Sequence, residues 1–201
     1  MVNIAVFASG FGSNLQAIIR AIKKGKLKAN LALVISDVKK AMALKRAKRA
    51  GIKPIFIDPA AYPTQEAFEQ EILKHLEAEK IDLIVLAGFM RIVGDTLLDR
   101  FPDKILNIHP ALLPSFKGVH GIQDAFEYGT KITGVTVHFV DNKMDHGPII
   151  AQGIVKIEDA DTLESLEKKI HRLEHKLYPE TINLVVEGKV KIDGRKVIRL
   201  N

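Results

Sequence analysis

The sequence predicts an α/β protein, one domain built on a mostly parallel, twisted sheet flanked by helices. Three observations carry the prediction. β-branched apolar runs alternate with helix-spaced segments through the amino half, the rhythm of strand–helix–strand units. A glycine-rich turn, Gly10-Phe11-Gly12, joins the first such run to the first helical segment. A later apolar run ends in Asn107-Ile108-His109-Pro110, polar chemistry placed at a strand's carboxyl end, where α/β proteins hold their ligands.

Val2–Ala8 is the first strand, Ser13–Lys24 has helical spacing, and Leu31–Ser36 is the second strand. Met42–Ala50 reads as a helix ended by Gly51 at its C′ position. Ile55–Ile57 is a short strand, and Thr64 caps an amphipathic helix that runs to Lys80. Ile81–Ala87 is a buried strand, followed by a short helix over Asp95–Arg100 and the strand ending at Ile108. Beyond it come a helix at Ile122–Tyr128 and strands at Val135–Val140 and Ile149–Ile157. Asp161 or Thr162 caps a long helix with an apolar seam of Leu163, Leu166, Ile170, Leu173 and Leu177. Lys189–Ile192 and Lys196–Leu200 flank Asp193-Gly194, a hairpin signal. With no repeat, linker or low-complexity tract, residues 1–201 read as one continuous domain.

Composition narrows the function. The chain has 201 residues, 47% hydrophobic and 27% charged, as expected of a globular protein with a substantial core. Without cysteine it has no disulfide framework and no thiolate metal site. The opening residues lack the length of a signal peptide, and no apolar run approaches the ~20 residues that span a bilayer. A cytoplasmic protein with no membrane partner is expected. The net charge of +6 favours anionic partners. No aromatic residues interleave the lysine and arginine clusters, so nucleic acid is not the expected partner.

The Gly10-Phe11-Gly12-Ser13-Asn14 turn suits an anion. Its glycines let backbone N–H groups approach, the helix amino end adds a partial positive charge, and Ser13 and Asn14 offer short polar side chains. Leu15 stands where a dinucleotide fingerprint needs a third glycine, so a phosphate monoester is the better fit. Asp37 could imitate a ribose-binding acid or simply make a turn.

Asn107 and His109, at i and i+2, leave one face of an extended strand together, and Pro110 stops it. An amide donor beside an imidazole can steady an oxyanion and move a proton. Asp145, in the loop Asp141–Pro148, matters if that loop folds onto His109, because a carboxylate there favours the protonated imidazole. Gly88 permits close backbone approach, and Met90, Ile92 and Val93 could wall an apolar pocket for a flat ring. Arg91, if buried at the strand end, calls for a carboxylate or phosphate. His171-Arg172-Leu173-Glu174-His175 matches a zinc-peptidase pattern, with both histidines on one helical face, though no third ligand follows. A surface stripe on an amphipathic helix explains it more simply.

Taken together, GFGSNLQ from Gly10, LAGFMRIV from Leu86, LNIHPALLPSFKG from Leu106, GVTVHFV from Gly134 and DHGP from Asp145 resemble the folate-dependent formyltransferase family. The match spreads from Ala5 to the Glu174–Pro179 region. The resemblance implies a formyltransferase-type fold with a Rossmann-like amino half beside a folate cleft. It implies attack by the amine of glycinamide ribonucleotide on the formyl carbon of 10-formyltetrahydrofolate, a cosubstrate, with no metal. Asn107, His109 and Asp145 would be catalytic. Gly12, Ser13, Asn14 and Glu174 would hold the ribonucleotide, which displaces the zinc reading. Gln65, Met90, Arg91, Ile92, Val93, Asn107, Val140 and Asp141 would bind folate. A monomer or homodimer acting on small molecules is implied. Two positions depart from the family's commonest pattern: Gln65 stands where many relatives place arginine, and His146 where glycine is frequent.

Overall fold

A computed structural model describes residues 1–200. Nine strands form one sheet: β1 (Val2–Phe7), β2 (Ala29–Ser36), β3 (Lys53–Phe56), β4 (Leu83–Leu86), β5 (Ile105–His109), β6 (Ile132–Phe139), β7 (Ile149–Lys156), β8 (Val190–Asp193) and β9 (Lys196–Arg199). The helices are α1 (Ser13–Lys23), α2 (Met42–Arg49), α3 (Gln65–Ala78), α4 (Asp95–Arg100), α5 (Gly121–Tyr128) and α6 (Leu163–Val186). The strand order is β3-β2-β1-β4-β5-β6-β7-β9-β8. β3 through β5 run parallel, and β6 turns antiparallel to both β5 and β7. The chain leaves β1 toward β2 and later returns to β4 on β1's other side, which opens a crevice at their carboxyl ends.

Alternation along β1 builds the two layers. Ile4, Val6 and Ala8 pack on the face covered by α1, α2 and α6, whereas Ala5 and Phe7 join the cluster under α3 and α4. Pro54 lies in β3, an edge strand bonded only to β2, where a missing N–H leaves no ladder gap on the open side. Thr64 caps α3 by accepting the Ala67 N–H. Thr162 caps α6, closing a reciprocal box with Ser165 rather than with a glutamate.

Two expectations change in detail. Asp193 pairs with Lys196, so the hairpin's two-residue loop is Gly194-Arg195, with Gly194 at φ 59°. The predicted seam of α6 turns toward the sheet along Leu166, Ile170, Glu174, Tyr178 and Ile182, while Leu163, Leu173 and Leu177 are only half-buried. The Tyr178 hydroxyl lies 2.7 Å from the Leu86 carbonyl and 3.2 Å from that of Leu106. It ties α6 to the end of β4 and to the start of neighbouring β5, and Glu174, one helical turn earlier, lies at the crevice.

Candidate active site

A cleft of ≈ 680 Å³ fills the crevice. Its walls come from the turn after β1, the segment after β4, the end of β5, the loop between β6 and β7, and one side of α6.

The turn after β1 is built for close approach. Gly12 has φ 73°, and a Cβ there would stand 3.0 Å from Ala43 Cα and Cβ. α1 opens without a side-chain cap, and the Gln16 N–H to Gly12 carbonyl bond at 3.0 Å starts its ladder. The first-turn N–H groups therefore remain available to an anion. Asp37 is not among the residues lining the cleft: it accepts the Ser9 hydroxyl at 2.6 Å, and Ser9 Oγ in turn accepts the Met90 N–H at 3.0 Å. That relay locks together the loops after β1, β2 and β4.

Asn14 is buried and donates to Glu174 Oε2 at 3.2 Å, while its Oδ1 has no partner. A buried orphan acceptor beside a carboxylate is a place for a ligand's N–H or O–H. Glu174 is 4% exposed and also takes His171 Nδ1 at 2.8 Å. That hydrogen bond raises the pKa of His171, against the opposing effect of burial. Desolvation lowers that of His175. The two imidazoles stack with centroids 6.4 Å apart. Among the described residues, no group of three or more His, Asp or Glu side chains is arranged to hold a metal ion.

At the other end of the cleft, β5 presents Asn107 and His109, and the loop after β6 brings Asp145 to them. His109 Nδ1 is 3.4 Å from Asp145 Oδ2, and both side chains are buried. Nε2 of His109 faces the Phe116 carbonyl at 2.7 Å, so each ring nitrogen meets an oxygen acceptor. Asp145 stands at φ 48° and is fixed by the Gly118 N–H, 2.8 Å from Oδ2. Gly147 lets the loop lie on β6, since a Cβ there would come within 1.9 Å of the Phe139 carbonyl oxygen.

His138, one of the residues that sequence reasoning missed, completes this end. It is the cross-strand partner of Asn107 in the antiparallel β5–β6 pair. Nδ1 lies 2.7 Å from the Phe139 carbonyl, and Nε2 lies 3.2 Å from Asn107 Nδ2. Burial pushes its pKa down, outweighing the Phe139 carbonyl and the carboxylate of Asp145. A neutral ring donates from Nδ1 and accepts at Nε2, so it orients the Asn107 amide with one N–H still free. The available signal was a histidine interrupting the apolar run of β6.

Met90, Ile92 and Val93 line the cleft with Val140 and Asp141, and Met90 and Ile92 are exposed there. Arg91, which would call for an anionic partner if buried, is not buried. It is exposed, lines the cleft, and holds its guanidinium 5.4 Å from the Phe68 ring centroid instead of meeting a carboxylate. Gln65 is not among the lining residues. Its amide donates to the Ile92 carbonyl and to Glu69, each at 3.0 Å, so it supports the apolar wall from behind. The buried Glu69, also missed in the sequence, accepts the Gly94 N–H at 2.6 Å and the Leu97 N–H at 3.3 Å, capping α4 in place of a local side chain. His146 pairs with Asp141 at 2.6 Å, at the cleft's outer lip.

A turn with N–H groups open to an anion, an amide–imidazole–carboxylate cluster and an apolar wall share one crevice, an arrangement suited to group transfer. Its class follows from comparison. The profile of the formyl transferase family matches residues 2–182, and the chain belongs to that family as a formyl-transferring enzyme with a folate-type cosubstrate. Phosphoribosylglycinamide formyltransferase of Bacillus subtilis is 47% identical over 182 residues, covering 90% of this chain and 93% of the relative. Its counterpart in Escherichia coli is 37% identical over 190 residues, 94% of this chain and 90% of that protein. The crystal structure of glycinamide ribonucleotide transformylase 1 from Symbiobacterium toebii superposes with a TM-score of 0.98 at 46% identity, covering 100% of this chain and 95% of that one.

Proposed function

We propose that this enzyme transfers the formyl group of 10-formyltetrahydrofolate to the amino group of 5-phosphoribosylglycinamide, a step of purine biosynthesis, in the cytoplasm. The observation that carries the reading is the convergence of Asn107, His109 and Asp145 in the same cleft as the Gly12–Asn14 turn.

The residues divide the work. Gly12, Ser13 and Asn14 hold the acceptor's phosphate at the amino end of α1. Glu174 and the unpartnered Oδ1 of Asn14 accept hydrogen bonds from the acceptor's amine and amide. The pterin lies against Met90, Ile92 and Val93, with polar edges toward the Val140–Asp145 backbone. Attack of the amine on the formyl carbon forms a C–N bond and leaves a negative oxygen. The free N–H of Asn107 and the imidazolium of His109 stabilise that oxygen, as preorganised donors do in other acyl transfers. His109 exchanges the Phe116 carbonyl for it and keeps Asp145, the stronger acceptor. Breaking the C–N10 bond returns the electron pair to N10. N10 takes a proton from His109, and the attacking nitrogen gives one up through water held by Asp145, so the charges balance.

Purified protein given both substrates should release deformylated folate only when the ribonucleotide is present. Equal release without acceptor makes the enzyme a hydrolase, and no release with either overturns the reading.

A further inference from the structure

A second cavity, ≈ 420 Å³, lies on the outer side of the anion-binding turn between α1 and α6. Arg20, Lys24, Lys26, Arg46 and Lys176 line it, against one acid, Glu180. Arg20 and Lys24 follow one another by four residues and share a face of α1 and its carboxyl end. Among the described residues, none of these five cations is paired with a carboxylate, whereas neighbouring Lys28 is taken by Glu187. Arg46 is held in place instead by the Phe11 carbonyl at 2.9 Å and Gln16 Oε1 at 3.0 Å, with its guanidinium 4.4 Å from the Phe11 ring centroid.

Five like charges around one concavity repel one another, and low-dielectric walls focus their field on whatever enters. A phosphate monoester carries a charge of about −1.5 to −2 at pH 7, which leaves most of this cluster unmet. A volume within the ~300–1,000 Å³ usual for small ligands, with Phe11 the one Phe, Tyr or Trp among its lining residues, fits a compact metabolite rather than a nucleic-acid strand. We propose that this cavity is a second anion site, separate from the acceptor-phosphate turn, which binds a small molecule through a di- or triphosphate chain. Phe11, Ser13 and His175 wall both cavities, so the occupant lies directly beside the turn.

Calorimetric titration with inorganic tripolyphosphate, compared with orthophosphate at one fixed low ionic strength, tests the proposal without turnover and so independently of the reaction assigned above. Tripolyphosphate should bind at least about tenfold tighter than orthophosphate. The double variant Arg20→Ala/Lys24→Ala should weaken tripolyphosphate about tenfold or more while formyl transfer stays within about twofold. Lys176→Ala, on the other helix, should act in the same direction, and all three side chains are exposed, so the core is spared. Removing the exposed pair Lys39 and Lys40 instead should have little effect. Unchanged affinity in both cavity variants, equal binding of orthophosphate, or an equal loss in Lys39→Ala/Lys40→Ala overturns the site.

Discussion

Nε2 of His138 lies 3.2 Å from Nδ2 of Asn107, directly across the β5–β6 pair. The contact works only while His138 is neutral, because a protonated ring has no lone pair for the amide. Burial keeps it neutral by lowering its pKa. A ring on an adjacent strand thus orients the Asn107 amide, the group proposed above to meet the reacting oxygen, and sheet register sets that pairing.

Replacing His138 with phenylalanine fills the same buried volume and removes the acceptor. A lost positioning hydrogen bond is worth roughly 1–2 kcal/mol, so kcat should fall about tenfold with little change in either KM. Steady-state kinetics checks this, and wild-type turnover in His138→Phe would remove His138 from the mechanism.

The same ring sets an acid limit. Its folded pKa lies below the ordinary 6.5, so the unfolded chain binds the proton more readily. The stability it contributes is complete above 6.5 and is lost as the pH falls below that value toward the folded pKa. His109, Asp145 and Asp141 all act on it, His109 opposing protonation and the carboxylates favouring it. kcat–pH profiles should show an acidic limb in the wild type that is displaced in His138→Phe. Superimposable profiles would assign that limb elsewhere.

His171 runs the other way. Its pKa is raised by the Glu174 hydrogen bond, so the stability it adds is complete below 6.5 and lost as the pH rises through the folded value. In His171→Ala, thermal unfolding scans should show the variant's deficit shrinking from pH 6 toward pH 8. The ring is about half exposed, so only the trend is expected.

Asp145→Asn keeps the shape and tolerates the left-handed backbone at φ 48°. It loses the charge that faces His109. Turnover should drop by about 10²–10⁴-fold with an almost unchanged melting temperature. Full activity in the variant would exclude the carboxylate from proton transfer.

Glu174→Ala removes the acceptor beside Asn14 and the partner of His171. The KM for the ribonucleotide should rise by about tenfold or more while that for the folate changes little. Equal effects on both substrates would make Glu174 a structural residue.

Gln65→Ala should loosen the Ile92 carbonyl and raise the folate KM a few-fold without lowering kcat, since Gln65 stands behind the wall rather than in it. Fluorescence or calorimetric titration with a folate analogue reads this directly.

Local sequence fixed much of this molecule. The alternation of Ile4, Val6 and Ala8 with Ala5 and Phe7, the glycine at Gly12 and the caps at Thr64 and Thr162 each follow from neighbours a few residues away. Asn107 and His109 share a face because a strand repeats every two residues. What lay beyond was decided between distant segments: Asp145 reaching 3.4 Å from His109, His138 opposite Asn107, Tyr178 bridging β4 and β5, and Glu69 capping α4. The exposure of Arg91 and the supporting place of Gln65 belong with these. Register and loop packing set such contacts, and both depend on burying whole faces of the sheet rather than on any short run of residues.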